Sequence, residues 1–170
     1  MKREDKLSTA INSIYSGMAI WYGNSIETLY WDASNSMPKP TQEQIDTEWE
    51  SILLFDEKTQ TIQKVKQKYY EVITSPFLWT DGNTYQYDEE ARMNIGDAMT
   101  VISVTSPSEW KWFDITNVQR IFTVNDFKSM VASMWDREQS AYETMQLKKS
   151  GILELTTMSG VLAYDINSGW

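Results

Sequence analysis

The sequence predicts an α+β fold in which aromatic-rich β-hairpins pack with amphipathic helices. Three observations point there. Aromatic and β-branched runs are broken by short turn signals such as Asp81-Gly82-Asn83. Apolar residues recur at helical spacing along 41–75, 88–102 and 123–145. No alternation of strand and helix of the kind that builds a parallel sheet appears.

The chain opens on the charged stretch Met1-Lys2-Arg3-Glu4-Asp5-Lys6. Met18-Ala19-Ile20-Trp21-Tyr22 and Ser25-Ile26-Glu27-Thr28-Leu29-Tyr30-Trp31 then flank Gly23-Asn24, which is the pattern of a first hairpin. Residues 32–39 read as loop, and Thr41 with Gln44 three positions on forms a capping box for a helix. From Ile45 the apolar positions Trp49, Ile52, Phe55, Ile62, Val65, Tyr69 and Val72 keep close to a 3.6-residue period up to Pro76. One long helix near 41–75 follows, roughly 50 Å at about 1.5 Å per residue. Six carboxylates of its first half (Glu43, Asp46, Glu48, Glu50, Asp56, Glu57) precede its lysines (Lys58, Lys64, Lys66, Lys68), the order that the helix dipole favours. The polar stretch Asp56 to Gln60 is the one place for a break and a fold-back.

Pro76 turns Ser75 away from helix and divides the chain into 1–75, a hairpin plus long helix, and 76–170. The second part opens on the sharpest hairpin signal, Phe77-Leu78-Trp79-Thr80 and Thr84-Tyr85-Gln86-Tyr87 around Asp81-Gly82-Asn83. Asp88 caps a helix whose apolar face is Ala91, Ile95, Ala98, Met99 and Ile102. A third hairpin joins 110–115 to 118–123 at Thr116-Asn117. A long helix capped by Thr123 or Asn125 then carries Phe127, Met130, Val131, Met134, Trp135, Ala141, Tyr142 and Met145 on one side, with Gly151 as a stop or bend. A short element follows between Leu153 and Ile166.

Composition removes whole classes of chemistry. The 170 residues are 41% hydrophobic, enough for a real core, and 24 acidic against 15 basic residues give a net charge of -9, the wrong sign for nucleic acid. There is no cysteine and no histidine, so disulfides, thiolate chemistry, the commonest transition-metal ligands and His-activated nucleophiles are absent. No phosphate loop, dinucleotide glycine run or nucleophile elbow appears, and Asp81-Gly82-Asn83 lacks the acidic ladder of a calcium loop. Glu89 and Glu90 are the most tempting acid pair, but adjacent helix positions point about 100° apart and cannot face one substrate. The expectation is therefore a non-enzymatic protein with no catalytic residue, cofactor or metal site. No apolar run approaches the roughly 20 residues of a membrane helix, so no membrane insertion is expected, nor a signal peptide.

Aromatic surface is what the chain has in excess, with eight Trp, nine Tyr and five Phe beside nine Met. Alternation sets Trp110 and Trp112 on one sheet face, either as core against the Met130, Met134 and Trp135 helix, as a protein interface or as a glycan platform. Trp170 is either a plug in its own domain or an anchor for a neighbour. The 41–75 stripe exceeds what a small hairpin can cover, so a second subunit or a partner is expected on it unless the helix folds back. The candidate partner-contact residues are Trp49, Ile62, Val65, Trp110, Trp112 and Trp170.

The second part also has a recognisable order of sparse positions: Trp79, Asp81-Gly82-Asn83 and Tyr85, then Ala91-Arg92 and Asn94-Ile95, then Trp112, Asn117 and Phe122-Thr123, then Leu147-Lys148 and Gly169-Trp170. Over about residues 76–170 this resembles an uncharacterised domain family of tailed-bacteriophage tail-fibre and tail-fibre-assembly-like proteins. The N-terminal half, with Pro38-Lys39-Pro40-Thr41 and its acidic-start helix, is similar to small proteins encoded beside phage tail-fibre genes. The resemblance implies a tail or baseplate adaptor or accessory component, assembled in the host cytoplasm and carried in the virion tail, with tail-fibre or baseplate proteins as partners and a homo-oligomeric or multi-copy state. The alternatives are a tail-fibre assembly chaperone and a glycan-binding receptor-recognition module.

Overall fold

A computed structural model of the chain describes residues 3–16, 19, 21–23 and 25–170. Met1 and Lys2 of the charged start, and Met18, Ile20 and Asn24 of the first hairpin signal, lie outside the described residues. The order of elements is α1 (Arg3–Ile14), β1 (Trp21–Tyr22), β2 (Tyr30–Trp31), α2 (Gln42–Thr74), β3 (Phe77–Leu78), β4 (Thr84–Tyr85), α3 (Glu89–Thr105), β5 (Glu109–Phe113), β6 (Gln119–Thr123), α4 (Val124–Glu154) and α5 (Met158–Leu162). The strands form three antiparallel two-stranded ribbons, β1 with β2, β3 with β4 and β5 with β6, so the α+β class holds. Two compact units are present, 1–60 with 155–163 and 61–154 with 164–170.

In the first unit, α1 was not legible in the charged start, yet its stripe of Leu7, Ala10 and Ile11 is buried with Tyr15, Leu29 and Ile45. The first hairpin forms with Trp21 opposite Trp31 and Tyr22 opposite Tyr30. Its connection therefore runs from Gly23 to Leu29 rather than turning tightly at Gly23-Asn24. Leu29 is the physical reason, since the longer connection carries it into the core, where it is buried. Polar bonds then tie the loop down: Tyr15 Oη donates to Pro38 O at 2.6 Å, Trp31 Nε1 to Met37 O at 3.0 Å and Lys39 Nζ to Leu29 O at 2.7 Å.

The capping box closes as spacing predicts, with Gln44 N donating to Thr41 Oγ1 at 3.2 Å and Thr41 N to Gln44 Oε1 at 2.9 Å. α2 then runs unbroken through Asp56 to Gln60, which removes the fold-back. Glu57, Lys58 and Gln60 are good helix formers and no Gly or Pro stands among these residues, so polarity alone does not interrupt the helix.

The second unit holds two clusters. Tyr85, Tyr87, Ile95, Ala98, Ile102, Phe122, Phe127, Met130 and Met134 pack where α3, α4 and the hairpins meet. Val65 of α2 is buried with Met145 and Ile152 of α4 in the other, flanked by Ile62, Tyr69, Tyr164, Ile166 and Trp170. The β3–β4 turn is the predicted one: Gly82 takes φ +81°, Trp79 N donates to Asn83 O at 2.9 Å and Asn83 N to Asp81 Oδ1 at 2.8 Å. Asp88 caps α3 by accepting from Ala91 N at 2.9 Å.

The β5–β6 hairpin is wider than a Thr116-Asn117 turn. Asp114 N donates to Val118 O at 3.0 Å and Asn117 N to Asp114 O at 2.9 Å, with Asn117 left-handed at φ 64°, the three-residue loop that ends on an αL residue. Asp114 dictates this. Its buried carboxylate accepts from Thr116 Oγ1 (2.6 Å), Thr116 N (2.9 Å) and Val118 N (3.0 Å), while Arg120 clamps the other oxygen at 2.8 and 2.6 Å. The loop is tied to the preceding hairpin by Ile115 N donating to Thr84 O at 2.8 Å.

Thr123, not Asn125, caps α4, accepting from Asp126 N at 3.1 Å. α4 does not stop at Gly151 but continues to Glu154. Glycine is there for room: a Cβ at 151 would lie 2.6 Å from Tyr164 Oη and 3.3 Å from its ring carbons. Trp135 and Tyr142, expected on the core side of α4, are 56% and 46% exposed; the buried stripe is made without them by Phe127, Met130, Met134, Glu138, Ala141, Met145 and Ile152.

Candidate functional site

The buried stripe of α4 contains one charge. Glu138 lies between Met134 and Ala141 with only 8% of its surface exposed, and a carboxylate in such a place must be paired. Arg92 of α3 donates from Nη2 to Glu138 Oε1 at 2.6 Å, and Tyr87, just before α3, donates from Oη to Oε2 at 3.2 Å. Two guanidiniums lie over the Tyr87 ring, Arg92 at 5.5 Å and Arg137 at 5.1 Å from its centroid. Burial, together with the Glu138 charge, pushes the Tyr87 hydroxyl above its ordinary pKa, so it stays a donor.

Arg137 locks the end of α2 to this cluster. It donates to Ser75 O at 2.9 Å, Pro76 O at 3.2 Å and Ser75 Oγ at 3.3 Å and stands 5.2 Å from the Phe77 ring. Burial pulls it below its ordinary value, opposed by Tyr87 and Glu138.

The Arg92–Glu138 pair floors a cleft of about 710 Å³ walled by Ile95, Gly96, Met99 and Val131. Its rim carries Tyr70, Met93 and Trp135, which are 60%, 62% and 56% exposed. Large exposed apolar side chains around a cleft with a fixed ion pair at its base suit a ligand with an apolar body and a polar tip. A smaller cleft of about 350 Å³ lies on the other side of the α3 start, lined by Gln86, Asp88, Glu90, Asn94, Trp112 and Phe113. Glu89 lines the larger cleft and Glu90 the smaller, the divergence expected of adjacent helix positions.

The six sequence-derived contact residues are not gathered in one place. Trp49 is half-buried on α2. Ile62 and Val65 belong to the α2–α4 cluster, Ile62 half-buried and Val65 with no exposed surface; in this chain α4 covers that part of the stripe. Trp110 and Trp112 share a face and lean on Phe127, at 6.1 and 5.4 Å between ring centroids. Trp170 rests against the same cluster as Val65, with Nε1 donating to Ile166 O at 2.9 Å and Lys148 Nζ 6.0 Å from its ring. Its seat is built by Asp165, which accepts from Asn167 N and Ser168 N at 2.8 and 3.2 Å and from Ser168 Oγ. Those bonds, the Ser168 hydroxyl first, hold Asp165 down at about 2.

Asp81 belongs to its turn. Burial would raise it, but hydrogen bonds from Tyr85 and Asn83 outweigh that and hold it below the usual carboxylate range. Among the described residues no group of three or more His, Cys, Asp or Glu could hold a metal ion, and no helix is long and apolar enough to cross a membrane. Sequence reading missed Tyr70, Tyr87, Arg92, Met93, Trp135 and Glu138 as a group.

The model of a protein family described as Domain of unknown function (DUF4376) matches residues 56–166. The match begins inside α2 and takes in the whole of the larger cleft. No curated protein and no solved structure matches the chain.

Proposed function

The chain belongs to the Domain of unknown function (DUF4376) family, and we propose that it is a non-enzymatic bacteriophage tail protein, an adaptor or accessory component that binds tail-fibre or baseplate proteins. The observation that carries the binding part is the larger cleft, where Tyr70, Met93 and Trp135 stand exposed around the paired Arg92 and Glu138. Aromatic and Met side chains concentrate contact energy at protein interfaces, and the ion pair offers orientation rather than chemistry. The tail context comes from the order of sparse positions between Trp79 and Trp170.

The test is quantitative mass spectrometry of purified particles together with a tail-fibre pull-down. Stoichiometric presence, with fibre capture lost in Trp135→Ala and Met93→Ala, supports the adaptor. Absence from particles, with misassembled fibres on deletion, identifies an assembly chaperone instead.

The smaller cleft favours a second reading. Trp112 and Phe113 beside Asp88, Glu90, Gln86 and Asn94 combine an aromatic wall with carboxylate and amide acceptors, the composition of a sugar subsite. A glycan array tests it, and a signal that Phe113→Ala abolishes supports a receptor-recognition role.

A further inference from the structure

One face of α2 is only partly used within the chain, Ile62 touching the α4 cluster at its edge and Glu48 bonding Ser13. Glu48, Ile52, Phe55, Thr59, Ile62 and Lys66 follow one another at intervals of four, three, four, three and four residues, the spacing of a coiled-coil seam. None of the six is buried, and Phe55, at the middle, is 69% exposed. We infer that this face pairs antiparallel with the same face of α2 in a second copy of the chain, centred on residue 57.

Charge selects the partner and its direction. Antiparallel pairing about residue 57 sets Glu48 against Lys66, Ile52 against Ile62 and Phe55 against Thr59, and each contact occurs twice by symmetry. A parallel pair in register sets Glu48 against Glu48 and Lys66 against Lys66, which repel. The same centre mates Glu57 with itself and Glu43 with Glu71, but at about 100° per residue these three fall on the far side of the helix from the seam. The like charges therefore stay apart while the opposite charges meet. Within the chain Glu48 also accepts from Ser13 Oγ at 2.6 Å, which leaves its second carboxylate oxygen for the lysine. The seam from Glu48 to Lys66 spans about 27 Å of helix. This inference does not rest on the tail reading.

Sedimentation analysis of the full chain over a concentration series tests it, with circular dichroism to confirm folding. The wild-type chain self-associates, and more weakly at high salt, because exposed charge pairs are screened. Glu48→Lys and Lys66→Glu each weaken self-association about tenfold, each replacing two attractive pairs by two repulsive ones. Mixing the two single variants restores association as a heterodimer, and the double variant Glu48→Lys/Lys66→Glu restores it as a homodimer. A wild-type chain that stays monomeric at all concentrations overturns the inference. So do single variants that associate like wild type, and a mixture that fails to associate.

Discussion

Arg137 gives the most direct check on how the second unit is held together. Its side chain touches the end of α2, the β3 strand and the segment leading into α3, through Ser75, Pro76, Phe77 and Tyr87. A charged donor to a neutral oxygen is worth about 1.5 kcal/mol at good geometry; the 2.9 Å bond to Ser75 O earns that figure, and the bonds to Pro76 O at 3.2 Å and to the Ser75 hydroxyl at 3.3 Å about half of it each. Two cation–π contacts beyond 5 Å add roughly 0.5 kcal/mol each. Against the resulting total of about 4 kcal/mol stands the cost of burying the guanidinium, so Arg137→Ala should lose about 3 kcal/mol.

Urea unfolding followed by circular dichroism measures that loss. Arg137→Met retains the stem against Phe77 and Tyr87 and should lose about 2 kcal/mol, so the difference isolates packing from hydrogen bonding. Arg137→Lys keeps the charge but not the fork, and falls between them. A loss below about 1 kcal/mol for Arg137→Ala refutes the view that this residue clamps α2 to the hairpins.

Three further outcomes follow from particular contacts. Arg92→Ala leaves Glu138 buried without its cation and should cost about 3–5 kcal/mol, whereas Arg92→Ala with Glu138→Leu should recover most of it; thermal unfolding of the pair measures this. Gly151→Ala gains about 1 kcal/mol of helix propensity but drives a methyl into Tyr164, so the melting temperature falls; adding Tyr164→Phe removes the 2.6 Å contact and raises it above wild type. Asp165 titrates at about 2 when folded, below its unfolded value near 3.9. Its contribution is therefore complete above about pH 4 and is lost as the pH falls toward 2. The Trp170 indole N–H resonance should shift over that window and show no such step in Asp165→Asn.

The elements whose signals are local were legible. The Thr41 and Gln44 box, the Asp81-Gly82-Asn83 turn and the Asp88 cap each act within three or four residues, and all three close as their spacing requires. Three of the misreadings share one cause, which is that a distant residue decides the local reading. Gly151 marks no helix end because what it answers to is Tyr164, which occupies the space of its Cβ. The first hairpin opens to a long connection because Leu29 has a core to enter. α1 escaped notice because only Leu7, Ala10 and Ile11 mark its stripe, and their value depends on Tyr15 and Ile45 arriving beside them.

The candidate site follows the same logic, but it left one trace. Arg92 and Glu138 are 46 residues apart, and no spacing rule connects them. Yet Glu138 falls at a core position of α4, where Met134, Ala141 and Met145 continue the stripe on either side, and an acid there demands a cation to pair with. Arg92 is the sole basic residue of α3, and it stands one position along from the core residue Ala91, so a helix packed on α4 brings it to the acid. Reading the stripe for its exception, rather than for its period, locates the pair, and with it the floor of the cleft. Trp135 follows in turn, because a tryptophan three residues before Glu138 on the same helix must flank whatever opening that acid faces.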